Sequence, residues 1–278
     1  MIEVLTHSIK DTLLTLPFLF IAYLIMEWLE HRAENLTAFI KNSRIATLLG
    51  SFCGIIPQCG FGATAAGLFS GGLITPGTLI AFFLATSDEM LPILVSRHTP
   101  LSLIIKILVC KFAGAVVAGY LIDLFYKRNK EKSIHDLCHE SGCNCENHKG
   151  IFVPALIHTV KIAGFIFVIT FILSGIIHHI GEEALAGFIL NKPVIGNLLA
   201  ALIGLIPNCA ASVVVTELYL SGAMSAGAML SGLFVGAGVG LAVLFRTNKS
   251  IRENLLLTFI LYSSGVMLGL FFGFIPIW

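Results

Sequence analysis

Long apolar blocks separated by short polar stretches run the length of this chain, and their spacing predicts the elements. Residues 12–29 read as a spanning helix with Glu27 close to its end, because about 20 apolar residues suffice to cross a bilayer. Residues 30–44 are polar and carry Arg32, Lys41 and Arg44. The next apolar block, 45–56, is too short to cross alone and ends at Pro57, and 60–72 is a second short, Gly/Ala-rich piece. Residues 74–95 predict a span with two acids inside it, Asp88 and Glu89. A tight turn at 97–100 leads into a further span at 101–126, interrupted by Lys106 and Lys111. Residues 127–150 are the one long hydrophilic stretch.

The second half repeats the first. His7-Ser8-Ile9-Lys10 is echoed by His158-Thr159-Val160-Lys161, and Leu36-Thr37-Ala38-Phe39 by Leu185-Ala186-Gly187-Phe188. At a fixed offset of 150, Leu48, Leu49, Gly54, Pro57, Cys59, Gly72, Gly77, Leu94 and Gly119 fall on Leu198, Leu199, Gly204, Pro207, Cys209, Gly222, Gly227, Leu244 and Gly269. The pattern predicts three units: a transmembrane repeat at 1–126, a linker at 127–150 and a second repeat at 151–278. Lys and Arg favour the cytoplasmic side of short loops. Arg32, Lys41 and Arg44 follow the first span, whereas the equivalent loop of the second copy has only Lys192, beside Glu182 and Glu183. Arg97 is alone in its turn, whereas its counterpart holds Arg246, Lys249 and Arg252. The bias flips between copies, so the expectation is inverted-topology repeats, cytoplasmic basic loops and linker, and both termini outside. The expected fold class is an all-α polytopic membrane protein of roughly ten segments, with broken or re-entrant helices at the centre. Five full spans per copy, or three plus a re-entrant pair, both fit.

Composition makes the membrane assignment firm. Of 278 residues, 56% are hydrophobic and 12% charged, with mean hydropathy +0.93; soluble domains carry about 25% charged residues. The net charge of +1 gives no sign of nucleic acid. The first segment lacks a basic start and a small-residue cleavage site, and reads as a retained helix. Of seven cysteines, Cys53, Cys59, Cys110 and Cys209 lie in apolar segments, and Cys138, Cys143 and Cys145 cluster in the linker. That is not an extracellular disulfide framework.

The candidate chemistry centres on Gly54-Ile55-Ile56-Pro57-Gln58-Cys59-Gly60 and its second copy, Gly204-Leu205-Ile206-Pro207-Asn208-Cys209-Ala210. Proline removes a donor and stops a helix. Inside a bilayer such a break persists only where protein or a water-filled cavity satisfies the freed groups. Paired breaks in corresponding positions point to a transporter's binding site. Cys59 and Cys209 would each begin a half-helix, where the dipole lowers a thiol's pKa. Gln58 and Asn208 add carbonyl oxygens. Soft sulfur suits Zn and Cu(I), and hard oxygen suits Mn and Mg; against this stands the ordinary inert cysteine of an apolar helix. Asp88, Glu89 and Glu217 are intramembrane acids, each costing about 2.5–3.5 kcal/mol on insertion scales, which line a pathway, bind a cation or relay protons. The alternative is a structural ion pair with Lys111 or Lys106. Lys111 could be the counter-charge for Asp88 or Glu89, with coupling assigned to Lys111, Glu217 and Asp88. Lys106 can snorkel outward.

The linker offers a metal set, His135, Cys138, His139, Cys143, Cys145 and His148, with Asp136, Glu140 and Glu146 among them. Four of these could close a tetrahedral site of the kind Zn adopts, though the spacing matches no rigid zinc fold; a solvated linker is the bland alternative. His178 and His179 read as an interfacial pair. Gly232, Gly236 and Gly240 read as a ridge for close helix packing, and Trp28 and Trp278 as interfacial anchors.

The chain resembles the ten-span heavy-metal exporter family, which is related to arsenical permeases and often labelled arsenic efflux protein or manganese transporter. The resemblance spans essentially the whole chain. It rests on Ile56-Pro57-Gln58-Cys59-Gly60, on the run from Pro76-Gly77-Thr78 through Thr86-Ser87-Asp88-Glu89, on Ile206-Pro207-Asn208-Cys209, and on the His/Cys linker. It implies export of a toxic or excess metal or metalloid ion across the plasma membrane, coupled to protons. A thiol pair suits arsenite, and the acids suit a divalent cation such as Mn or Zn. No cofactor is required beyond a metal ion on the linker. The expected partners are the inorganic ion, protons and the lipid bilayer, with a second copy in a homodimer as a further candidate. A membrane-embedded metal enzyme is the alternative, although no paired His-x-x-x-His or nucleophile–base motif occurs in the spans; a metal sensor or scaffold built on the linker is another. Deletion of residues 130–148 separates the last from a transporter: residual ion flux in proteoliposomes is the expected result, and complete loss of response marks a sensor.

Overall fold

The structure, a computed structural model, describes residues 44–56, 59–87, 90–126 and 193–275, with scattered helical positions in 13–24 and 152–172. At 44, 59, 193 and 209 it describes the backbone alone. The described elements are all helices: α1 (Arg44–Ile55), α2 (Cys59–Ser70), α3 (Pro76–Ala85), α4 (Met90–Ser96) and α5 (Leu101–Phe125), then α6 (Pro193–Gly204), α7 (Cys209–Leu220), α8 (Ala226–Val235), α9 (Val239–Thr247) and α10 (Ile251–Gly273). The second five follow the first in order and nearly in length, at the offset expected from the sequence.

Among the described residues, four stretches are long and apolar enough to cross a membrane: Pro76–Ser96, Leu101–Phe125, Ala226–Thr247 and Ile251–Gly273. The first is α3 plus α4 and the third α8 plus α9, so each is a span with a break in it. These two are 75% and 83% buried in the protein, against 39% and 28% for α5 and α10. The broken spans therefore form the centre. The unbroken ones turn Val117, Leu121 and Leu124, or Phe259, Met267 and Phe271, outward, as lipid-facing spans do.

Within each half the packing rests on glycines at equivalent positions. A Cβ on Gly54 would come within 2.5 Å of Phe82 O, and one on Gly204 would strike Gly232 O. Gly77 lies against Gly119, and Gly227 against Gly269. Backbone-to-backbone approach of this kind is how helices associate where no hydrophobic force separates them from lipid. Thr47 meets Thr78 hydroxyl to hydroxyl at 3.2 Å, and the far end of α1 meets the far end of α3 through Gly54, Phe82 and Ala85. The two helices thus run parallel. α5 runs back beside them, its Asp123 Oδ1 accepting from Gly77 N at 2.7 Å and its Oδ2 from the Thr75 hydroxyl at 2.7 Å. Thr75 caps α3 through Thr78 N, and Ser225 caps α8 through Ala228 N.

α2 folds back along α1. After Ser70, Gly72 N donates to Phe69 O and Leu73 N to Leu68 O, with Gly72 at φ 74°; this closes the helix with a left-handed glycine. Gly222, at φ 77°, does the same after α7 with Tyr219 O, and Ala223 N with Leu218 O. Only five residues, 71–75, then join α2 to α3, a reach of about 18 Å. α3 starts beside the start of α1, so α2 cannot continue onward; a straight α1–α2 rod would end roughly 36 Å away.

The returning arms cross to the other half. α2 lies on α9, with Gly62 against Gly240 and Ala237 O and the Ser70 hydroxyl 2.7 Å from that of Thr247, so α2 and α9 run parallel. α7 lies on α4 in the reciprocal way. Gly232, Gly236 and Gly240 are therefore not one ridge: Gly232 packs α8 on α6, Gly240 packs α9 on α2, and Gly236 ends α8 between them.

Gly54→Ala and Gly204→Ala are expected to lower stability by about 1–3 kcal/mol each, as overpacking does. Gly164→Ala, whose Cβ would meet nothing within 4 Å, is the control expected to unfold at or above the parent temperature in detergent.

Candidate functional site

The candidate residues fall at or beside helix interruptions. α6 ends at Gly204, the chain turns through Leu205–Ile206–Pro207, and Asn208 begins α7. The Asn208 side chain is buried, and its Oδ1 accepts from Ala210 N at 3.1 Å. An amide or carboxylate oxygen at this position satisfies one of the four donors a helix start leaves open. Cys209 is the first residue of α7, and Cys59 the first of α2. Both backbones therefore stand just after a break, as the proline-amide-cysteine pattern predicts. Pro57, Gln58 and the side chains of Cys59 and Cys209 lie outside the described residues.

The second pair of breaks interrupts the central spans. α3 ends at Ala85, and Thr86 N donates to Phe82 O and Phe83 O at 3.1 and 3.2 Å. The buried hydroxyls close the same end: Thr86 Oγ1 donates to Phe82 O at 3.0 Å and Ser87 Oγ to Ala85 O at 3.3 Å. Asp88 and Glu89 occupy the gap between α3 and α4 and lie outside the described residues. In the other half α8 gives way to Gly236-Ala237-Gly238, with Gly238 at φ 52°, ψ −144°, a conformation open essentially to glycine alone. Contacts join the four breaks. The ends of α1 and α3 meet at Gly54, those of α6 and α8 meet at Gly204, the start of α2 faces Ala237, and the Phe83 ring lies against Gly240.

Lys111 enters this region from α5. It is fully buried, donates to Leu233 O in the last turn of α8, and sits 5.2 Å from the centroid of Phe234. Lys106 is exposed, in keeping with an outward-reaching stem.

Glu217 stands elsewhere. Eight residues separate it from Cys209 along α7, about 12 Å of rise. It makes a two-point ion pair with Arg97, which reaches it from the turn after α4: Nε to Oε1 and Nη2 to Oε2, both 3.0 Å. The structure thus places Glu217 away from the start of α7, and its cation is Arg97 rather than Lys111 or Lys106. The Arg97 turn is fixed by Arg97 N to Ile93 O and Thr99 N to Leu94 O, with His98 at φ 50°. Thr216 is buried beside Glu217, and its hydroxyl donates to Ser212 O at 2.7 Å.

The apolar pattern does not single out Asp123, which clamps the start of α3. Its signal is register alone: it lies one turn beyond Gly119, where the second half has Gly273. His135, Cys138, His139, Cys143, Cys145 and His148, with the whole linker, lie outside the described residues, as do His178 and His179. Among the described residues no cluster of three His, Cys, Asp or Glu side chains could hold a metal ion. Cys53 is exposed and Cys110 buried, both as free thiols.

A family model whose description reads "Putative, 10TM heavy-metal exporter" (ArsP_2) matches residues 1–169, which takes in the first five helices and the linker. No curated protein and no solved structure matches the chain.

Arg97 and Glu217 are side chains at 61% and 38% exposure, so their coupling is expected to be modest, about 0.2–1 kcal/mol. Arg97→Glu and Glu217→Arg are each expected to lower the unfolding midpoint slightly, and the double exchange to recover it; a double-mutant cycle with no coupling removes this ion pair as a link between the halves.

Proposed function

The chain belongs to the 10TM heavy-metal exporter family, and from that premise we propose a secondary active exporter whose ion sits among the four helix breaks, held by Gln58, Cys59, Asn208 and Cys209 with Asp88 and Glu89. The observation that carries this reading is that each half starts a helix with cysteine directly after a break, and then lays that helix on the other half. Half-helix starts present N–H groups without an intrahelical partner and positive dipole ends, which favour an anionic group. Two thiolates and two amide oxygens suit a soft or borderline ion, arsenite or a divalent transition metal such as Zn or Mn. The acids of the α3–α4 gap supply either further ligands or the coupling proton.

Inverted repeats are the architecture proposed. What supports them is the direction of chain at the contacts between halves. α3 leaves the end marked by Thr75 and Asp123, and α4 leads to Arg97. α9 runs parallel to the returning arm α2 and finishes at Thr247 beside Ser70, next to that same end. Corresponding spans then point opposite ways, with α1–α2 and α6–α7 as re-entrant pairs. Arg44 at the start of α1, and Arg246, Lys249 and Arg252 around the end of α9, gather at the end where α5 passes into the linker; by the positive-inside bias that end is cytoplasmic. The membrane is the plasma membrane, the His/Cys linker collects the ion there, and rocking of one half against the other exposes the site alternately. On this reading the Arg97–Glu217 pair lies on the outer side.

Proteoliposome flux of Mn²⁺, Zn²⁺, Co²⁺, Cd²⁺ and arsenite, with and without a pH gradient, tests this. The expected result is gradient-driven flux of at least one of these species. Cys59→Ser and Cys209→Ser are expected to lower it at least tenfold with the protein still folded, and Glu217→Gln to alter outward release without abolishing binding. Absence of flux for the whole panel, or full flux in the Cys59→Ser/Cys209→Ser double variant, rejects the site.

A further inference from the structure

The two central breaks are closed by different means. At the end of α3 the chain supplies its own donors: Thr86 N, Thr86 Oγ1 and Ser87 Oγ reach the carbonyls of Phe82, Phe83 and Ala85. At the end of α8 the equivalent residues are Gly236-Ala237-Gly238, without a hydroxyl or amide among their side chains. Gly236 N takes Gly232 O and Ala237 N takes Val235 O. Leu233 O is met from outside the element, by the Lys111 ammonium. Lys111 lies ten residues into the 25-residue α5, near mid-span, and is fully buried. Phe234 presents its ring to the same ammonium. Gly114, one turn along α5, leaves room for that ring, since a Cβ there would lie 3.1 Å from it.

A broken helix ending inside a membrane offers carbonyl oxygens and the negative end of a dipole, and such ends take cations. An aromatic face adds to the attraction. The counterpart of Lys111 in the second half is Leu261, also fully buried, so the repeat does not require a cation at this place. We propose that the Lys111 ammonium is a resident cation occupying a monovalent-cation site formed by the C-terminal carbonyl end of α8 and the Phe234 ring. This holds the α8–α9 break in register and frees the protein from any need for a bound alkali ion. It rests on the exporter reading only in assigning the break to the transport site; the cation site itself is a property of the fold.

Thermal unfolding of the purified full chain in detergent, in the absence of any heavy metal, tests this. Wild type is expected to unfold at the same temperature in sodium and choline chloride at matched ionic strength. Lys111→Ala, which empties the site, is expected to unfold several degrees lower, and to be restored in a saturable way by methylammonium or sodium but not by choline. Stabilisation that saturates is the mark of a ligand bound to the native state. Lys111→Met, which fills the space without charge, is expected to remain destabilised and insensitive to all three salts. The proposal is overturned if Lys111→Ala unfolds with wild type, if choline restores it as well as sodium does, or if Lys111→Met is as stable as wild type. It is also overturned if neither variant can be recovered folded even in methylammonium. None of these readouts involves transport, so failure of the flux panel would leave this result standing, and the reverse.

Discussion

Backbone groups freed inside an apolar environment must find partners, and this constraint organises the molecule. Four times a described helix stops and the next begins within a few positions: after Ile55, after Ala85, after Gly204 and after Val235. In hydrocarbon each unsatisfied N–H or C=O costs several kcal/mol. The chain meets that cost locally where it can. Asn208 caps α7 through its side chain, Thr86 and Ser87 close α3, and Lys111 reaches across from the other half to close α8. Two of the breaks also lie at the centre of the fold, since the spans that contain them are the most deeply buried. Around those two breaks the surrounding helices keep lipid from the irregular backbone.

Close glycine contact makes that centre possible. Gly54, Gly77 and Gly119 bring α1, α3 and α5 together, and Gly204, Gly227 and Gly269 do the same for α6, α8 and α10. The same helix triad is thus built twice. The exchange of arms, α2 onto α9 and α7 onto α4, then makes the two triads one body. The start of α2 or of α7 thus belongs to one half while the helix that follows rests on the other.

The halves are duplicated in scaffold and unlike in charge. At the 150-residue offset Asp123 corresponds to Gly273, Lys111 to Leu261, and Asp88 and Glu89 to Gly238 and Val239. A symmetric frame carrying an asymmetric set of charges can bind a charged species at one preferred place and bias the equilibrium between two arrangements. Glu217 belongs to this asymmetry too, its counterpart being Gly67. Its partner Arg97 places it at the rim between α4 and α7 rather than at the breaks.

Much of this was present in the linear pattern. Apolar blocks of about 20 residues give spans because hydrocarbon thickness is fixed, and the 150-residue offset gives two equivalent halves because equivalent glycines make equivalent contacts. Proline followed by an amide and a cysteine gives a break and a new helix start, because proline ends a helix and Asn caps one. These are local rules, so sequence suffices for them. Partnership across the fold is not local. That α2 turns back, that its arm lies on α9, that Arg97 meets Glu217 from 120 positions away, that Asp123 clamps the start of α3 and that Lys111 finds Leu233 O all depend on which helices become neighbours. Nothing in the residue types at 111 or 217 distinguishes one buried or interfacial partner from another. Only the packed tertiary structure decided it, through the few ångströms that glycine contacts allow between backbones.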